Sequence, residues 1–128
     1  MKRLLIGLAL SLAAASAHAQ WVLVSSTVDD GNQFYADPTT KRRTGNIVRM
    51  WGLQEFSKPR IYSGKTYYSA RIYYQYDCVE GTVLILQLSG FTGQMASGQL
   101  LFTANEGAKK LFVEPKSNDS HMLDFACK

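Results

Sequence analysis

The sequence predicts an α+β domain: a single antiparallel β-sheet of about six strands, with a short C-terminal helix tethered by a disulfide. Three observations predict it. Apolar and polar residues alternate along the stretch "YYSARIYYQYDC" at 67–78. Several other short segments are rich in the β-branched and aromatic residues typical of strands, and turn-forming residues separate these segments. The last residues have helical spacing and end beside the second of the two cysteines.

The N-terminal segment has the pattern of a secretory signal peptide. Lys2 and Arg3 precede an uncharged apolar run, and the small-residue motif "AHA" ends at Ala19. The apolar run is shorter than the ~20 residues that a bilayer span needs. We therefore expect a signal peptide at residues 1–19, cleaved after Ala19, and an exported domain at 20–128 with no stable membrane insertion.

The charge of the mature chain argues against a nucleic-acid partner. Loss of Lys2 and Arg3 lowers the formal net charge from +4 to +2, and phosphate binding usually needs clustered basic residues. One basic cluster is present, "KRRTGNIVR" at 41–49. A solvated turn that enters a strand explains this cluster more simply than a polyanion site does.

The two cysteines, Cys78 and Cys127, are expected to form a disulfide. An exported chain folds in an oxidising compartment, and only one pairing is available. Closing a loop of about 50 residues stabilises a fold by roughly 4 kcal/mol in the chain-entropy model. A redox or catalytic thiol is disfavoured because the sequence contains no C-x-x-C motif.

The strands upstream of the tyrosine-rich stretch are predicted from composition and punctuation. The candidates are "WVLVSS", "NQFYAD" and "GNIVRMWGLQEF". The segments "DDGN", "DPTTKRRTGN" and "SKPRIYSGK" supply turn chemistry around them. Short connections of this kind are typical of an antiparallel meander.

The tyrosine-rich strand itself is predicted to be half buried. Its core-facing positions are Tyr68, Ala70, Ile72, Tyr74, Tyr76 and Cys78, and its polar face carries Tyr67, Ser69, Arg71, Tyr73, Gln75 and Asp77. A hairpin joins it to "GTVLILQLSGF", in which Leu84, Leu86 and Leu88 are expected to share one face. The segment "SGQLLFTA" reads as a further strand, and "NEGAKK" as a turn before "LFVEP".

The C-terminal segment "PKSNDSHMLDFACK" predicts a short helix. Ser117 and Asn118 are capping-type residues, and Met122 and Phe125 belong to an apolar side. Cys127 falls on the final turn. Two turns of helix are marginal in water, so the disulfide would hold the helix on the sheet.

The chain resembles the surface-adhesin protein E domain family. The landmarks are Trp21, "FYAD" at 34–37, "RRTGNIVRMWGL" at 42–53, "YYSARIYYQYDC" at 67–78, "EPKS" at 114–117 and "AC" at 126–127. The resemblance implies an antiparallel sheet with a disulfide-tethered helix. It also implies an exported Gram-negative protein whose relatives bind host matrix and serum proteins at the cell surface. Asp37, Trp51, Tyr76 and Asp77 match family landmarks, and we interpret them first as fold determinants.

Two functions are compatible with this fold: a binding module, and a structural or associated protein of the cell envelope. In the first, Tyr67, Arg71, Tyr73 and Gln75, with Lys65 nearby, form a protein-binding surface, since tyrosine and arginine are enriched in interfaces. The alternative is that these tyrosines only cover a thin core. Exposed edge strands would also permit a homodimer. In the second, it is a periplasmic structural or envelope-associated protein that does not bind a host.

An enzyme is disfavoured, and we expect no cofactor or metal. His121 is the only histidine after signal cleavage, and it falls in the terminal helix, where exposure is expected. Its neighbours Asp119 and Asp124 match no usual metal-ligand spacing. Asp29 and Asp30 lie in a predicted turn, where aspartate is common for backbone reasons.

Overall fold

The computed structural model describes residues 19–27, 29–105 and 109–128. Most of the predicted signal peptide and part of "NEGAKK" lie outside the described residues. The strands are β1 (Val22–Ser26), β2 (Gln33–Ala36), β3 (Arg42–Thr44), β4 (Ile47–Tyr62), β5 (Lys65–Asp77), β6 (Thr82–Phe91), β7 (Leu100–Ala104) and β8 (Leu111–Phe112); the helix is α1 (Asn118–Cys127), and a 3-10 turn spans Pro38–Thr40. Within the described ranges, no helix is long and apolar enough to cross a membrane.

All the described strands join one antiparallel sheet, so the predicted fold class is confirmed. The order across the sheet is β1-β2-β4-β5-β6-β7, with β3 paired to the start of β4 and β8 to the start of β6. The described residues form eight strands where about six were expected. One addition is β3, which lies inside the segment predicted as a turn and pairs Thr44 with Ile47 across a tight connection.

The second predicted turn, "SKPRIYSGK", is also mostly strand. β4 continues to Tyr62, and the turn is confined to Ser63 and Gly64 before β5 begins. The pairing of β4 with β5 is irregular between Glu55 and Arg60. Pro59 falls in this interruption, where its missing N–H costs no ladder hydrogen bond.

The core lies between the sheet and α1. Met122 and Ala126 of the helix are fully buried against a cluster that includes Val48, Met50 and Tyr76 of the central strands. Gly52 is required at the centre of this packing. A Cβ at this position would lie 2.6 Å from the Tyr74 ring and 3.2 Å from the methyl carbon of Met122. The absence of a side chain therefore lets the helix and the tyrosine approach the sheet closely.

The disulfide and the helix cap agree with the sequence. Cys78, just beyond β5, is bonded to Cys127 in the last turn of α1, with the two Cα atoms 5.7 Å apart. Ser117 is the N-cap, and its hydroxyl accepts a hydrogen bond from the Ser120 N–H at 3.1 Å. Asn118, the other expected capping residue, is the first residue of the helix, and its side-chain amide donates to Thr27 at 2.7 Å.

The predicted shared face of Leu84, Leu86 and Leu88 is wrong. Ile85 pairs with Tyr74 but Gln87 pairs with Tyr73, so Leu86 is an extra residue in a β-bulge. A bulge shifts the alternation by one residue. Leu88 therefore packs against the core cluster, whereas Leu84 lies beside Gln75 on the opposite side of the sheet.

The alternation predicted for β5 holds at its C-terminal half and fails near its start. Ala70, Ile72, Tyr74 and Tyr76 are buried as expected. Tyr68, expected in the core, is 40% exposed. Tyr67, expected on the polar face, instead packs edge-on against Phe56 and Phe102. The reversal accompanies the irregular pairing of β4 with β5 in this region.

Candidate functional site on the open face of the sheet

The side of the sheet opposite α1 is called the open face, and its centre is defined by Arg49, Trp51, Arg71, Tyr73 and Gln75. In β4 and β5 these residues alternate with the buried ones that meet the helix. Arg49 is directly opposite Gln75 in the ladder, and Trp51 is directly opposite Tyr73. The alternation of a strand thus places a helix-facing core on one side and this mixed aromatic and polar set on the other.

The two rings at the middle of the open face form a stacked pair. The centroids of Trp51 and Tyr73 are 4.7 Å apart, and the ring planes are inclined by 21°. Both side chains are half buried, so each is packed and accessible at once. Trp51 was interpreted from the sequence first as a fold determinant. In the structure it packs against a ring that is itself on the open face, so part of the Trp51 ring remains accessible.

Arg71 lies beside this pair without a carboxylate partner. Its guanidinium is 5.0 Å from the ring centroid of Trp51 and 5.7 Å from that of Phe91, both within cation–π range. In the part of the chain that the structure describes, the only ion pair joins Lys110 and Glu80. Arg71 is exposed, so the charge is available to a ligand.

The basic cluster at 41–49 divides between two roles. Lys41 Nζ donates to the Phe125 carbonyl at 3.0 Å, and Arg43 donates to the Cys127 carbonyl at 3.3 Å, which places two cations at the C-terminus of α1. Cations there satisfy free carbonyls and complement the helix dipole. Arg49 instead donates to Gln75 Oε1 at 2.9 Å on the open face.

Two shallow hollows flank the stacked rings. The first, of about 340 Å³, is lined by Ala19, Trp21, Asp37, Thr39, Thr40, Trp51 and Arg71. The second, of about 450 Å³, is lined by Arg42, Thr44, Ile47, Arg49, Tyr73 and Gln75. Both tryptophans of the chain line the first hollow. The stacked rings therefore form an aromatic ridge between two hollows, and each hollow is lined by at least one arginine.

Asp37 holds the wall of the first hollow in place. Its carboxylate accepts hydrogen bonds from the Thr39 N–H at 3.0 Å and the Gln20 N–H at 3.2 Å. Its own N–H donates to the Trp51 carbonyl at 3.0 Å, and the Thr40 hydroxyl accepts from the Trp51 N–H at 3.0 Å. Asp37 is buried, and these bonds fix the 3-10 turn against the strand that carries Trp51.

The landmarks Tyr76 and Asp77 lie away from the hollows. Tyr76 is 1% exposed in the helix-side core, and burial raises the pKa of its hydroxyl well above the ordinary value, with the neighbouring Tyr74 and Asp119 contributing. The Asp77 carboxylate accepts from the N–H groups of Val79 and Glu80, at 3.0 and 2.9 Å. Asp77 thereby closes the turn that follows β5 beside the disulfide.

The structure brings together three of the five residues expected to bind a partner. Arg71, Tyr73 and Gln75 share the open face, whereas Tyr67 packs near Phe102. Lys65 is exposed, and its Nζ donates to the Leu101 carbonyl at 3.4 Å near the tip of the β4–β5 hairpin. Trp21 was identified from the sequence only as a family landmark. Its position in the first hollow depends on the pairing of β1 with β2, which the alternation of residues along one strand does not reveal.

A loop at residues 92–99 covers the far end of the open face. The Ser69 hydroxyl donates to the Gly93 carbonyl at 2.6 Å and accepts from the Ala96 N–H at 2.9 Å. The Met95 N–H donates to the Glu55 carboxylate, which is buried. The loop therefore covers Glu55, and the arginine-bearing end of the open face remains accessible.

The described residues include no group of three or more histidine, cysteine, aspartate or glutamate side chains that could hold a metal ion. His121 is exposed on α1, as expected. The described open face carries stacked aromatic rings, guanidinium groups and hydroxyls. These groups make the contacts and hydrogen bonds that are typical of protein-binding surfaces.

Solved structures of protein E from Haemophilus influenzae share this architecture. Protein E of Haemophilus influenzae matches in crystal form II with a TM-score of 0.62 and 16% identity, over 86% of this chain and 88% of that one. Its selenomethionine form gives 0.61 and 16%, over 86% and 87%. A structure from non-typeable Haemophilus influenzae gives 0.57 and 12%, over 87% and 78%. At these identities the likeness shows a shared fold.

Sequence comparison assigns the family. No curated protein matches the chain significantly. The family model described as surface-adhesin protein E matches residues 21–128, which is nearly the whole of the expected exported domain. The chain therefore belongs to the surface-adhesin protein E family.

Proposed function

We propose that this protein is an exported, surface-adhesin-like binding module that contacts another protein through its open face and acts by binding rather than by catalysis. The observation that carries the proposal is the stacked pair of Trp51 and Tyr73, which is flanked by Arg71 and partly accessible on the side of the sheet opposite α1. Tryptophan, tyrosine and arginine are the residues most enriched at interface hot spots.

The way these side chains are held favours binding at low entropic cost. Trp51 and Tyr73 stand on the two most extensively paired strands of the sheet and already contact each other. The Arg49–Gln75 hydrogen bond orders two further side chains beside them. Less rotamer freedom is lost when a partner meets groups that are already fixed.

The family supports a site of action at the cell envelope, with two placements. On the outer surface the partner would be a host matrix or serum protein, as expected of surface adhesins. In the periplasm the partner would be another envelope protein. A second copy of the chain is a further candidate partner, because β1 and β7 are at the edges of the main strand order.

Export would also change the first hollow. Ala19 lines this hollow, and the N–H of Gln20 donates to Asp37. Cleavage after Ala19 would remove one wall residue and leave the new α-ammonium group next to a buried carboxylate. The intact mass of the exported protein should equal that of residues 20–128 with two hydrogens fewer for the disulfide; retention of residues 1–19 would contradict this part of the proposal.

Surface accessibility separates the two placements. Intact cells are treated with a membrane-impermeant amine reagent, and a permeabilised sample is the control. Labelling on intact cells supports adhesion to a host protein. Labelling that requires permeabilisation supports a periplasmic partner and contradicts a location on the outer surface.

Photo-crosslinking tests the binding face itself. A photoreactive phenylalanine analogue replaces Gln75 on the open face in one variant and the exposed Asp124 on α1 in the other, with the protein exported from its own cells. When cells and candidate host proteins are illuminated, we expect discrete protein adducts from position 75 and none from position 124. Adducts from position 124 alone would contradict binding through the open face.

A further inference from the structure

We infer that the first hollow binds a carboxylate group of an acidic protein segment, with Arg71 as the residue that holds it. This inference rests on the proposed function and specifies the chemistry of the partner. It concerns the hollow bounded by Trp21, Trp51 and Arg71, and treats the second hollow as a separate surface.

The hydrogen-bonding capacity of Arg71 carries the inference. Its guanidinium is held over aromatic rings, a contact that orders the group without consuming its N–H donors. No hydrogen bond from Arg71 to another described residue is present, whereas Arg49 donates to Gln75 and Arg42 donates to two backbone carbonyls. Arg71 is therefore the open-face arginine with a full set of donors for a planar bidentate acceptor.

The other wall residues are already positioned. The Thr40 hydroxyl donates to the Asp37 carbonyl at 2.7 Å and accepts from the Trp51 N–H. The Thr39 hydroxyl donates to the Asp37 carboxylate. These bonds hold the wall rigid and leave the rings of Trp21 and Trp51 as apolar walls. A carboxylate on a short aliphatic stem, as in glutamate or aspartate, matches an apolar wall with one cation.

The charge around the hollow favours one carboxylate over a dense polyanion. Arg71 is the single arginine in the lining, and the negative charge of Asp37 in the same wall would be offset by the α-ammonium group of Gln20 after cleavage. A sulfated polysaccharide presents several charges close together and needs clustered basic residues. Lys41 and Arg43, which could form such a cluster, are engaged at the C-terminus of α1.

Tryptophan fluorescence reports directly on this hollow, because both tryptophans of the chain line it. The probe is a short peptide of alternating glutamate and serine, and the matched control peptide replaces every glutamate with glutamine. We expect a saturable fluorescence change with the glutamate peptide and none with the glutamine peptide. The affinity should fall as salt rises, because the contact is an exposed charge pair.

Three substitutions locate the effect. Arg71→Gln removes the charge and the bidentate donors, and it should weaken glutamate-peptide binding by about tenfold, the loss typical of a charge-assisted hydrogen-bonded pair. Arg60→Gln removes the same charge from an exposed arginine outside both hollows, whose guanidinium lies 4.5 Å from the Phe56 ring centroid, and it should change the affinity by less than about twofold. Arg71→Lys keeps the charge but loses the paired N–H donors of the guanidinium. Its affinity for the glutamate peptide should therefore lie between those of the two glutamine variants.

Three results would overturn the inference: equal binding of the glutamine peptide, equal weakening by Arg60→Gln, or saturable binding of a heparin-derived oligosaccharide with none of the glutamate peptide. A thermal melt of each variant confirms that it is folded. If the peptide fails while position 75 still gives protein crosslinks on cells, the carboxylate inference falls and the binding face stands. If both fail, the proposed function falls as well.

Discussion

The two sides of the sheet use neighbouring residues of the same strands for opposite purposes. On the helix side, Tyr74 and Tyr76 are buried beneath α1, at 6% and 1% exposure. Tyr73 comes just before these two tyrosines in the sequence, and Gln75 lies between them. Both remain partly accessible on the open face, near the Trp51 ring. The aromatic content of β5 is therefore divided between a core and a surface.

This division shows how a thin single-sheet domain can carry a binding surface without losing stability. Most of the described buried apolar residues belong to the core cluster that includes Met122 and Ala126 of the helix, and the disulfide holds the helix in place. The open face can then expose aromatic rings, because cross-strand stacking orders them at modest energetic cost. Substitutions on the helix side should affect folding, and those on the open face should affect binding.

The largest expected effect of a single substitution is at Met122 on the helix side. Met122 is 1% exposed and packs over Gly52 and Tyr74. Met122→Ala should lower the free energy of unfolding by about 2–5 kcal/mol, through lost burial and the cavity it leaves. The neighbouring exposed His121→Ala is the matched control and should change it by less than about 0.5 kcal/mol. Urea denaturation measures both; similar losses would contradict a core under the helix.

Loss of the disulfide should have a somewhat smaller effect that is concentrated in α1. Replacing Cys78 and Cys127 by serine should lower the free energy of unfolding by about 2–4 kcal/mol. Hydrogen exchange should show faster opening of α1 than of β4 and β5, since ten helical residues are marginal without the clamp. Uniform acceleration across sheet and helix would contradict a local tether.

The smallest of the stability effects is alkaline sensitivity from the buried tyrosines. Burial raises the pKa of Tyr74 and of Tyr76 above the ordinary value near 10, with the Asp119 charge adding to each rise. The unfolded chain releases these protons above pH ~10 while the folded chain keeps them, so stability is complete below that pH and falls as pH rises above it. The variant Tyr74→Phe with Tyr76→Phe should show a shallower decline between pH 10 and 11 than the parent. An unchanged slope would contradict the assignment.

Local chemistry explains which features could be predicted from the sequence. The Ser117 cap and the helical spacing act within a few residues, and the disulfide had one possible pairing. The alternation around Tyr73 and Tyr74 holds because that part of β4 and β5 is paired regularly. These features fixed the fold class and three of the residues on the open face.

The errors arose where one strand's pairing depends on another strand far along the chain. The bulge at Leu86 and the irregular ladder around Glu55 and Tyr67 follow from how three strands fit together. No local period reports such a fit. The first hollow was not anticipated for the same reason, since Trp21 reaches Arg71 only across β2 and β4.

The most direct test of the division between the two faces compares Tyr73→Ala with Tyr74→Ala. These adjacent residues of β5 face opposite sides of the sheet. Each variant carries the photoreactive analogue at position 75, and the melting temperature and the yield of protein adducts on cells are measured together. Tyr73→Ala should lose most of the adducts and melt within about 5 °C of the parent, the shift expected for roughly 1 kcal/mol. Tyr74→Ala should melt at least about 10 °C lower, since it empties a core position. A Tyr73→Ala variant that keeps its adducts, or that melts as low as Tyr74→Ala, would contradict the account.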